Sequence, residues 1–315
     1  TNFEASSPNH SNAGFGSYLT YSSVATNGIY YTSVEEALTD NNKDGGSVTV
    51  YVNQLNMADF SSYKGTIVVP KGSTITITNA PGNLVVKDEE GNVLEPNANS
   101  YTAPVFSGEG TAESPYSIDD IDDLNNLRNK VNEGEAYEDK YFKLTSDITL
   151  TDAWTPIGNG ARSSKTYTGY SFKGTFDGGN KTISGLTIAS TSGADAAIGL
   201  FGIVDGGTVK NLNLEDVNIN VTNSNLAGAA IGMMLNGATA DKITVSGAIV
   251  GNDGVGGIVG RLIIDGTISN CINNASVTSE YGGIGGIVGK AYYEDGDNTS
   301  TFASVTNCIN NGTVN

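Results

Sequence analysis

A glycine-rich tetrapeptide recurs along the second half of this 315-residue chain and limits the folds that are open to it. Aligned copies begin at Gly199, Gly232, Gly257 and Gly286, so the three intervals between them are unequal but similar in length. A period of about 30 residues is typical of stacked supersecondary units, because each unit buries its apolar side chains only against its neighbours. The repeats therefore predict a β-solenoid over this part of the chain.

A second shared element places apolar residues three positions apart around an asparagine, at Asn211, Asn270 and Asn307. A flat strand cannot bury both flanking residues on one face, so the chain has to bend at the asparagine, which tolerates left-handed backbone angles. The amides of successive units are then expected to form a ladder. Cys271 and Cys308 would share an inward column about 5 Å apart, where free thiols are favoured and a disulfide stays the alternative.

These patterns predict an all-β chain whose residues 108–315 form a right-handed parallel β-helix. An amphipathic helix at about 117–132, capped by Ser117, precedes the repeats and can cover the open first coil. Residues 17–107 alternate short strands with turns, so they form either a separate β-rich domain or the first coils of the solenoid. Residues 1–16 are polar and are expected to be a flexible lead-in.

Acidic residues stand at two kinds of position. Four aspartates stand at the predicted helix start, namely Asp119, Asp120, Asp122 and Asp123. We favour their interpretation as solvated residues that complement the helix dipole over a role as paired catalytic acids. Other acidic residues adjoin glycines, so a position in a turn is the favoured interpretation, although their side chains could project from stacked coils. They are Asp177, Asp205, Asp265 and Glu280. We assign no catalytic residue.

The charge balance excludes several partners. With 16 Lys and Arg against 34 Asp and Glu, the formal net charge is −18, which disfavours nucleic acid, anionic lipid and polyanionic sugars. No apolar run approaches the roughly 20 residues of a membrane-spanning helix. The polar start at Thr1 suits a mature secreted form, and no signal or anchor segment is expected within this sequence.

Two segments interrupt the repeats and are the candidate binding regions, since insertions in solenoids lie in surface loops. They are the loop Asn159–Ser171 and an insertion of eight residues within Ala291–Phe302. Aromatic side chains on loops can stack on sugar rings, although packing against the coil is the more frequent role. The candidate binding residues are Tyr167, Tyr170, Tyr292, Tyr293, Asp295 and Asp297.

One short segment matches the opening of a calcium loop, through Asp40, Asn42 and Asp44. Its twelfth position is Tyr51 instead of glutamate, and a strand replaces the helix that should follow. A polar turn is therefore favoured, and we expect no cofactor, with calcium as the one metal that the sequence suggests.

The segment Gly199–Gly202 has the order Gly-Leu-apolar-Gly, and two further copies carry Ile in second place, whereas Gly232–Leu235 lacks the closing glycine. Residues 108–315 thus resemble the GLUG-motif repeat proteins, and residues 108–188 look like the segment before such repeats in surface proteins of gut Bacteroidetes. The resemblance implies an adhesin-like β-helix. The same repeats accompany bacterial IgA-specific metalloproteases, whose zinc motif needs two histidines, but this chain has only His10.

The leading functional hypothesis is a non-enzymatic adhesion or binding module at the outer cell surface or outside the cell. Its expected partner is a glycan or an extracellular protein, without direct membrane insertion. A polysaccharide lyase or a glycoside hydrolase is the alternative, because β-helices host both and a glycosidase needs only two facing carboxylates. A rigid spacer for another domain is the third hypothesis.

Overall fold

The computed structural model describes residues 3–4, 23–25, 29–31, 33–41, 46–163, 166–189, 196–221, 226–263, 265–292 and 303–315. The chain divides into two compact units, Thr1–Ser107 and Gly108–Asn315. Strands dominate both units, and the described residues include two α-helices. Neither of these helices has the length and apolarity needed to cross a membrane.

The first unit combines two small sheets with a short α-helix. Its elements are β1 (Phe3–Glu4), β2 (Ser23–Ala25), β3 (Ile29–Tyr31), α1 (Val34–Asn41), β4 (Ser47–Val50), β5 (Gln54–Asn56), a 3-10 turn (Ala58–Phe60), β6 (Thr66–Val69), β7 (Thr74–Thr78), β8 (Val85–Asp88) and β9 (Ser100–Thr102). One sheet has the order β1-β3-β2-β4-β6-β8 and the other β5-β7-β9. Ser47 pairs with Thr66 and Thr66 pairs with Val85, so the parallel strands β4, β6 and β8 recur with a shorter period than the tetrapeptide repeats.

Local sequence explains where the first elements of this unit begin. The Ser33 hydroxyl accepts a hydrogen bond from the Glu36 amide at 3.1 Å and so caps α1, as its capping-box signature predicts. Alternating residues of β4 and β6 are buried in the hydrophobic core of the first unit, which also holds Leu38 and Tyr63. Phe3–Glu4 pairs with β3 as a strand, although the sequence predicts a flexible lead-in over residues 1–16. The other lead-in residues lie outside the described ones.

The second unit is a parallel β-solenoid of about five turns with one α-helix. Its elements are β10 (Tyr116–Ile118), α2 (Ile121–Asn132), β11 (Tyr141–Leu144), β12 (Ile148–Thr149), β13 (Gly160–Ser163), β14 (Thr166–Gly169), β15 (Thr175–Ser184), β16 (Thr187–Ile188), β17 (Ala197–Ile198), β18 (Phe201–Asp205), β19 (Thr208–Val221), β20 (Leu226–Gly228), β21 (Ile231–Leu235), β22 (Thr239–Gly251), β23 (Val255–Gly256), β24 (Val259–Ile263), β25 (Thr267–Ser269), β26 (Ile272–Asn273), β27 (Ser276–Ser279), β28 (Ile284–Gly285), β29 (Val288–Tyr292), β30 (Ser304–Thr306) and β31 (Ile309–Asn310). The all-β parallel solenoid predicted from the sequence is confirmed.

Three parallel sheets form the sides of each full coil. The longest has the order β10-β11-β15-β19-β22-β25-β30, and the other two are β17-β20-β23-β28 and β18-β21-β24-β29. The residues of β18, β21 and β24 are buried throughout, because this sheet is covered on both faces. The antiparallel strands β13 and β14 form a hairpin outside the coil pattern, and Ala161 of this hairpin makes one isolated antiparallel bridge to Ala196.

The strand register corrects the alignment of the tetrapeptides. Phe201 pairs with Ile231, Ile231 with Val259, and Val259 with Val288, so the true intervals between copies are nearly equal. The second copy is therefore 229–232 and not 232–235, and Gly232 is its closing glycine instead of its opening one. Alignment by the first glycine failed because this copy has alanine there, which packs without exposed surface.

The closing glycine lies where two sheets of successive coils approach each other. A Cβ on Gly260 would lie 2.7 Å from the Ala227 nitrogen, 2.8 Å from the Ala227 carbonyl carbon and 2.7 Å from the Gly232 oxygen. These atoms are backbone atoms of the preceding coil, which cannot turn aside as a flexible side chain can. Gly202, Gly232 and Gly289 meet backbone atoms in the same way. The motif therefore keeps its last glycine for steric reasons.

Helix α2 begins at Ile121, four residues later than the sequence predicts, and its cap is Asp120 and not Ser117. The Asp120 side chain accepts from the Asp123 amide at 3.0 Å, and the Asp123 side chain accepts from the Asp119 amide at 3.1 Å. Ser117 instead belongs to β10, which pairs with β11 and buries Ile118 completely. Parallel pairing thus overrides the local capping signal, and the side chains of Asp120 and Asp123 accept from the amides at the helix start.

Helix α2 connects β10, the terminal strand of the longest sheet, to its neighbour β11. Its apolar face is fully buried through Leu124, Leu127 and Val131. An amphipathic helix in this position removes apolar surface of the first coil from water, which is the role that the sequence predicts for it.

The backbone bends at the predicted asparagines. The φ angles of Asn211, Asn270 and Asn307 are 53°, 54° and 52°, within the left-handed region. Asn307 donates to the Asn270 Oδ1 at 3.4 Å, whereas Asn270 and Asn211 donate to the carboxylates of Asp241 and Asp177 at 2.8 and 2.9 Å. The ladder is therefore mixed, because Asp177 and Asp241, which pair in register with Lys210 just before the bend, are acceptors in two coils. The bend residue between Asn211 and Asn270 is Lys242, with a φ of 53°.

The two cysteines are free thiols at equivalent positions of neighbouring coils. Cys271 is buried and Cys308 is partly exposed, because Cys308 belongs to the last coil. Burial is the main cause that raises the pKa of the Cys271 thiol to about 12, with smaller contributions from the nearby Cys308 and Asp241.

Candidate functional site

The hairpin of β13 and β14 carries Tyr167, the first of the candidate binding residues. The half-buried Tyr167 ring packs against an apolar cluster on the outside of the β18-β21-β24 sheet. This cluster consists of Ala197, Ile203, Leu226, Met233, Leu235 and Ile263. These contacts anchor the hairpin to the coils. They occupy the face of the Tyr167 ring on which a sugar would stack.

Asp205 is the polar anchor beneath this hairpin and is 8% exposed. The Tyr167 hydroxyl donates to its Oδ2 at 2.8 Å, and Asn236 donates to its Oδ1 at 2.6 Å. The Lys173 ammonium lies 3.6 Å from the same carboxylate and balances its charge. Burial, together with the contact to Asp205, raises the pKa of Tyr167, so the phenol stays protonated as a donor.

Tyr170 follows the hairpin and is 44% exposed, so its ring is available to solvent. A Cβ on Gly134, just beyond the end of α2, would lie 3.5 Å from the Tyr170 ring. Tyr170 therefore stands beside the C-terminal end of the helix. The hairpin residues do not bring Tyr167 and Tyr170 into one shared surface, because one side chain is packed and the other is exposed.

The second candidate loop lies between β29 and β30. More residues separate Thr267 from its partner Ser304 than separate Val259 from its partner Val288. The eight extra residues therefore lie between β29 and β30. Tyr293, Asp295 and Asp297 lie outside the described residues, as does the side chain of Tyr292. Their role as binding residues stays a prediction.

The calcium candidate is described only at Asp40, which is exposed in the last turn of α1. Asn42 and Asp44 lie outside the described residues. Within the described part of the chain, no group of three His, Cys, Asp or Glu side chains is arranged to hold a metal ion. The calcium site stays a prediction.

A groove between α2 and the loop after β12 is a concave site of the second unit. Its volume is about 430 Å3. The lining combines amide, hydroxyl, guanidinium and carboxylate groups with a few apolar side chains, from Ile121, Asn125, Arg128, Asn129, Asn132, Leu150, Thr151, Asp152, Ala153, Trp154 and Thr155. Ligand sites in proteins commonly have a volume in this range.

Asn132 fixes the two sides of this groove to each other. Its Nδ2 donates to the Pro156 carbonyl at 3.0 Å, and its Oδ1 accepts from the Gly158 and Asn159 amides at 2.9 and 3.0 Å. The three bonds tie the last turn of α2 to main-chain groups of the loop, so the two sides of the groove are fixed by the chain's own contacts. A preformed site loses less entropy on binding.

Trp154 forms the floor of the groove. Its indole N–H donates to the Leu200 carbonyl at 3.0 Å, and its ring is 5% exposed. The Arg128 guanidinium lies over this ring, with its central carbon 4.9 Å from the ring centroid. A cation held against an aromatic face in this way is oriented before any ligand arrives.

Catalysis by paired acids finds no support in this groove, because Asp152 is the only carboxylate among its lining residues in the described part of the chain. Other candidate acids have structural roles. Asp177 accepts from the Gly179 amide at 2.9 Å and contacts Lys210 at 3.7 Å, and Asp265 is a turn residue with φ 54°. Glu280 belongs to the turn after β27.

The carboxyls of the bend ladder are held in their charged form. Burial alone would raise the pKa of Asp241, but hydrogen bonds from Ser269 and Asn270, together with Lys242, outweigh it and lower the pKa below its ordinary value. Burial likewise opposes a lowered pKa at Asp177, where it is outweighed by hydrogen bonds from Asn211 and Gly179 and by two nearby lysines.

Sequence reasoning missed the groove residues Asn125, Arg128, Asp152 and Trp154. The polar face of α2 carries two of them, but such a face on a surface helix is ordinarily solvated. The only tryptophan of the chain, in a polar loop after a short strand, was the signal that could have directed attention to it.

Comparison with known proteins places small parts of two relatives beside this chain, which matches no protein-family model. Halomucin of Haloquadratum walsbyi is 33% identical over 204 residues, which make up 62% of this chain and 2% of halomucin. A protein of Evansella cellulosilytica, named as a Gly-rich membrane protein, is 38% identical over 138 residues, 41% of this chain and 14% of that protein. The chain therefore spans only a minor part of each relative's length.

One solved structure is similar to part of the chain. It is named as an immunoglobulin A1 protease from Bacteroides ovatus and aligns with 64% of this chain and 76% of its own. The TM-score is 0.41 at 19% identity.

Proposed function

We propose that this chain is a non-enzymatic binding module of a cell-surface or secreted protein, and that it recognises glycans in the groove beside α2. The observation that carries the proposal is the groove itself, where amides, hydroxyls, one guanidinium and one carboxylate converge around 430 Å3. Planar amide and charged groups pair with neighbouring hydroxyls of a sugar, and the apolar side chains face its C–H surface.

Three further points support a place at the cell surface. One relative is named halomucin and the other is named as a membrane protein. The tetrapeptide repeats resemble those of GLUG-motif surface proteins, with a closing glycine in each of the four register-aligned copies. The net charge of −18 on the whole chain disfavours binding to nucleic acid and anionic lipid.

Binding is favoured over catalysis because a glycosidase needs two carboxylates about 5–9.5 Å apart around the scissile bond. Asp152 stands without a second acid among the groove-lining residues that the structure describes. A lyase on the same scaffold remains the alternative enzyme, and an extracellular protein ligand remains the alternative partner.

The test is a screen of the full chain on glycans and matrix proteins, run beside hydrolysis and lyase assays on the same polysaccharides. We expect retained glycan binding without product. Asn125→Ala should weaken binding about two- to tenfold, the effect of one neutral hydrogen bond. Asn220→Ala is the matched control, since Asn220 is exposed on β19 and does not line the groove.

Two results would count against the proposal. Turnover of a bound polysaccharide would assign the groove to an enzyme. Binding to matrix proteins alone, with glycans ignored, would leave a binding module of a different kind and reject the glycan.

A further inference from the structure

Arg128 is the one cation among the groove-lining residues of the described structure, which gives its charge no opposite partner. Its Nε and Nη2 both donate to the Asn129 Oδ1, at 3.2 and 3.1 Å, so its hydrogen-bond acceptor is a neutral amide of the same helix. Within the described residues, Nη1 has no such bond. A guanidinium offers five donors in a planar fork, so most of its capacity stays open toward the groove.

Five other cations of this unit form ion pairs. Lys173, Lys210, Lys242 and Lys290 each contact an aspartate, and Lys130 contacts Glu133 at 3.6 Å. Acidic residues outnumber basic ones by 34 to 16, so acceptors for Arg128 were abundant in the sequence. An arginine that is partly buried against Trp154 and forms no ion pair with a carboxylate of the described chain has the environment of a ligand contact.

The environment of the guanidinium supports this interpretation. Burial lowers the pKa of Arg128, which means that the charge has lost part of its hydration. Arginine stays protonated at any physiological pH, so the charge persists in the groove. A desolvated cation gains more from an incoming anion than a solvated one does.

We infer that the groove binds a sugar that carries one carboxylate, with the carboxylate on the Arg128 guanidinium. The inference rests on the proposed glycan function and names its ligand class. Sialic acid and uronic acid residues share this chemistry. Asn125, Thr151 and Thr155 line the same space and supply partners for the hydroxyls.

A single carboxylate is the form that the charges favour. The chain carries −18 overall, and Asp152 lines the groove, so a polyanion would meet repulsion along its length. One carboxylate within contact of Arg128 is affected less, because charges separated by more than about 8 Å are largely screened at physiological ionic strength. Asp152 is then an acceptor for sugar hydroxyls and not a partner of the carboxylate.

Trp154 provides the readout, since it is the only tryptophan and lies beneath the guanidinium. Its fluorescence is titrated in the full chain with two matched pairs of probes: sialyllactose against lactose, and a glucuronyl disaccharide against the corresponding glucosyl disaccharide. We expect at least one acidic member to bind about 10- to 100-fold more tightly than its neutral match, as a charge-assisted contact requires. The two pairs separate sialic from uronic acid.

Arg128→Met keeps an aliphatic side chain over Trp154 and removes the charge, so it should abolish the preference for the acidic member. Arg128→Lys keeps the charge without the planar fork of donors, and it should lose most of the preference for the acidic member. Lys130→Gln removes the same charge from the same helix but outside the groove, and it should bind like the wild type. Thermal unfolding of each variant checks that the fold is retained.

Failure of the inference is distinguishable from failure of the proposed function. Equal binding of acidic and neutral members, or a preference that Arg128→Met leaves unchanged, overturns the acidic ligand while glycan binding stands. Absence of binding to every sugar rejects both. Tighter binding of an aspartyl peptide than of either acidic sugar also overturns the inference, because the groove would then be a peptide site.

Discussion

The closing glycine of the tetrapeptide gives the sharpest test of how the coils stack. In Gly260→Ala, the added methyl carbon would lie 2.7–2.8 Å from three backbone atoms of the preceding coil. Carbon atoms ordinarily approach other heavy atoms to about 3.5–4.0 Å, so two sheets would have to separate by nearly 1 Å. Overpacking of this kind costs about 1–3 kcal/mol, and rigid backbone walls place the variant at the upper end of that range.

A small gain opposes this cost, since alanine restricts the unfolded chain and stabilises by about 0.4–1 kcal/mol. The net loss for Gly260→Ala is therefore about 2–3 kcal/mol. For a unit of roughly 200 residues, such a loss lowers Tm by about 5–10 °C. The assay is thermal and urea unfolding, followed by circular dichroism and by the fluorescence of Trp154.

Gly237→Ala is the matched control, because a Cβ there meets no atom within 4 Å but the residue has φ +77°. Backbone strain alone should cost about 1 kcal/mol at this position. If Gly260→Ala loses no more stability than Gly237→Ala, close packing of the sheets does not explain the last glycine of the motif, and the steric reasoning is refuted.

Two further predictions concern titration and thiol chemistry. The folded-state pKa of Asp241 is lowered below the unfolded value of about 3.9, so its hydrogen bonds to Ser269 and Asn270 stabilise the fold above that pH and are lost as pH falls through the folded pKa. The variant Asp241→Asn keeps the acceptor but cannot titrate, so its urea unfolding midpoint should fall less than that of the wild type between pH 7 and about 3. An identical fall in both proteins would contradict this account. The pKa of Cys271 is about 12 and its thiol is buried, so native protein should react with a thiol reagent only at Cys308, and unfolded protein at both. Labelling counted by mass spectrometry checks this, and rapid modification of Cys271 in the native state would argue against the buried column.

Local patterns predicted the strands and bends of the solenoid well. The bends at Asn211, Asn270 and Asn307 appear where the sequence indicates them. These features depend on neighbours within a few residues, since backbone angles and side-chain alternation are local properties.

The candidate site was less predictable. Tyr167 is an aromatic residue in a loop, a type that often contacts ligands, yet its role depends on Asp205, which lies 38 residues away. The groove beside α2 requires Asn132 to meet Pro156 and Asn159, which follow it only after two strands and their connecting loops. Contacts at such separations leave no periodic signal in a single sequence, so the pattern alone directed attention to the loops and away from the helix.

The sequence by itself determined the solenoid, because a repeat of about 30 residues with apolar alternation and glycine punctuation can bury its core only by stacking. The tertiary structure decided which glycine closes each copy, since Ala229 hides the second copy from alignment while strand pairing reveals it. It also decided that Ser117 belongs to a strand and that Arg128 stands over Trp154. The physical reason is the same in each case: register and side-chain environment are set by contacts between coils, which only the folded chain brings together.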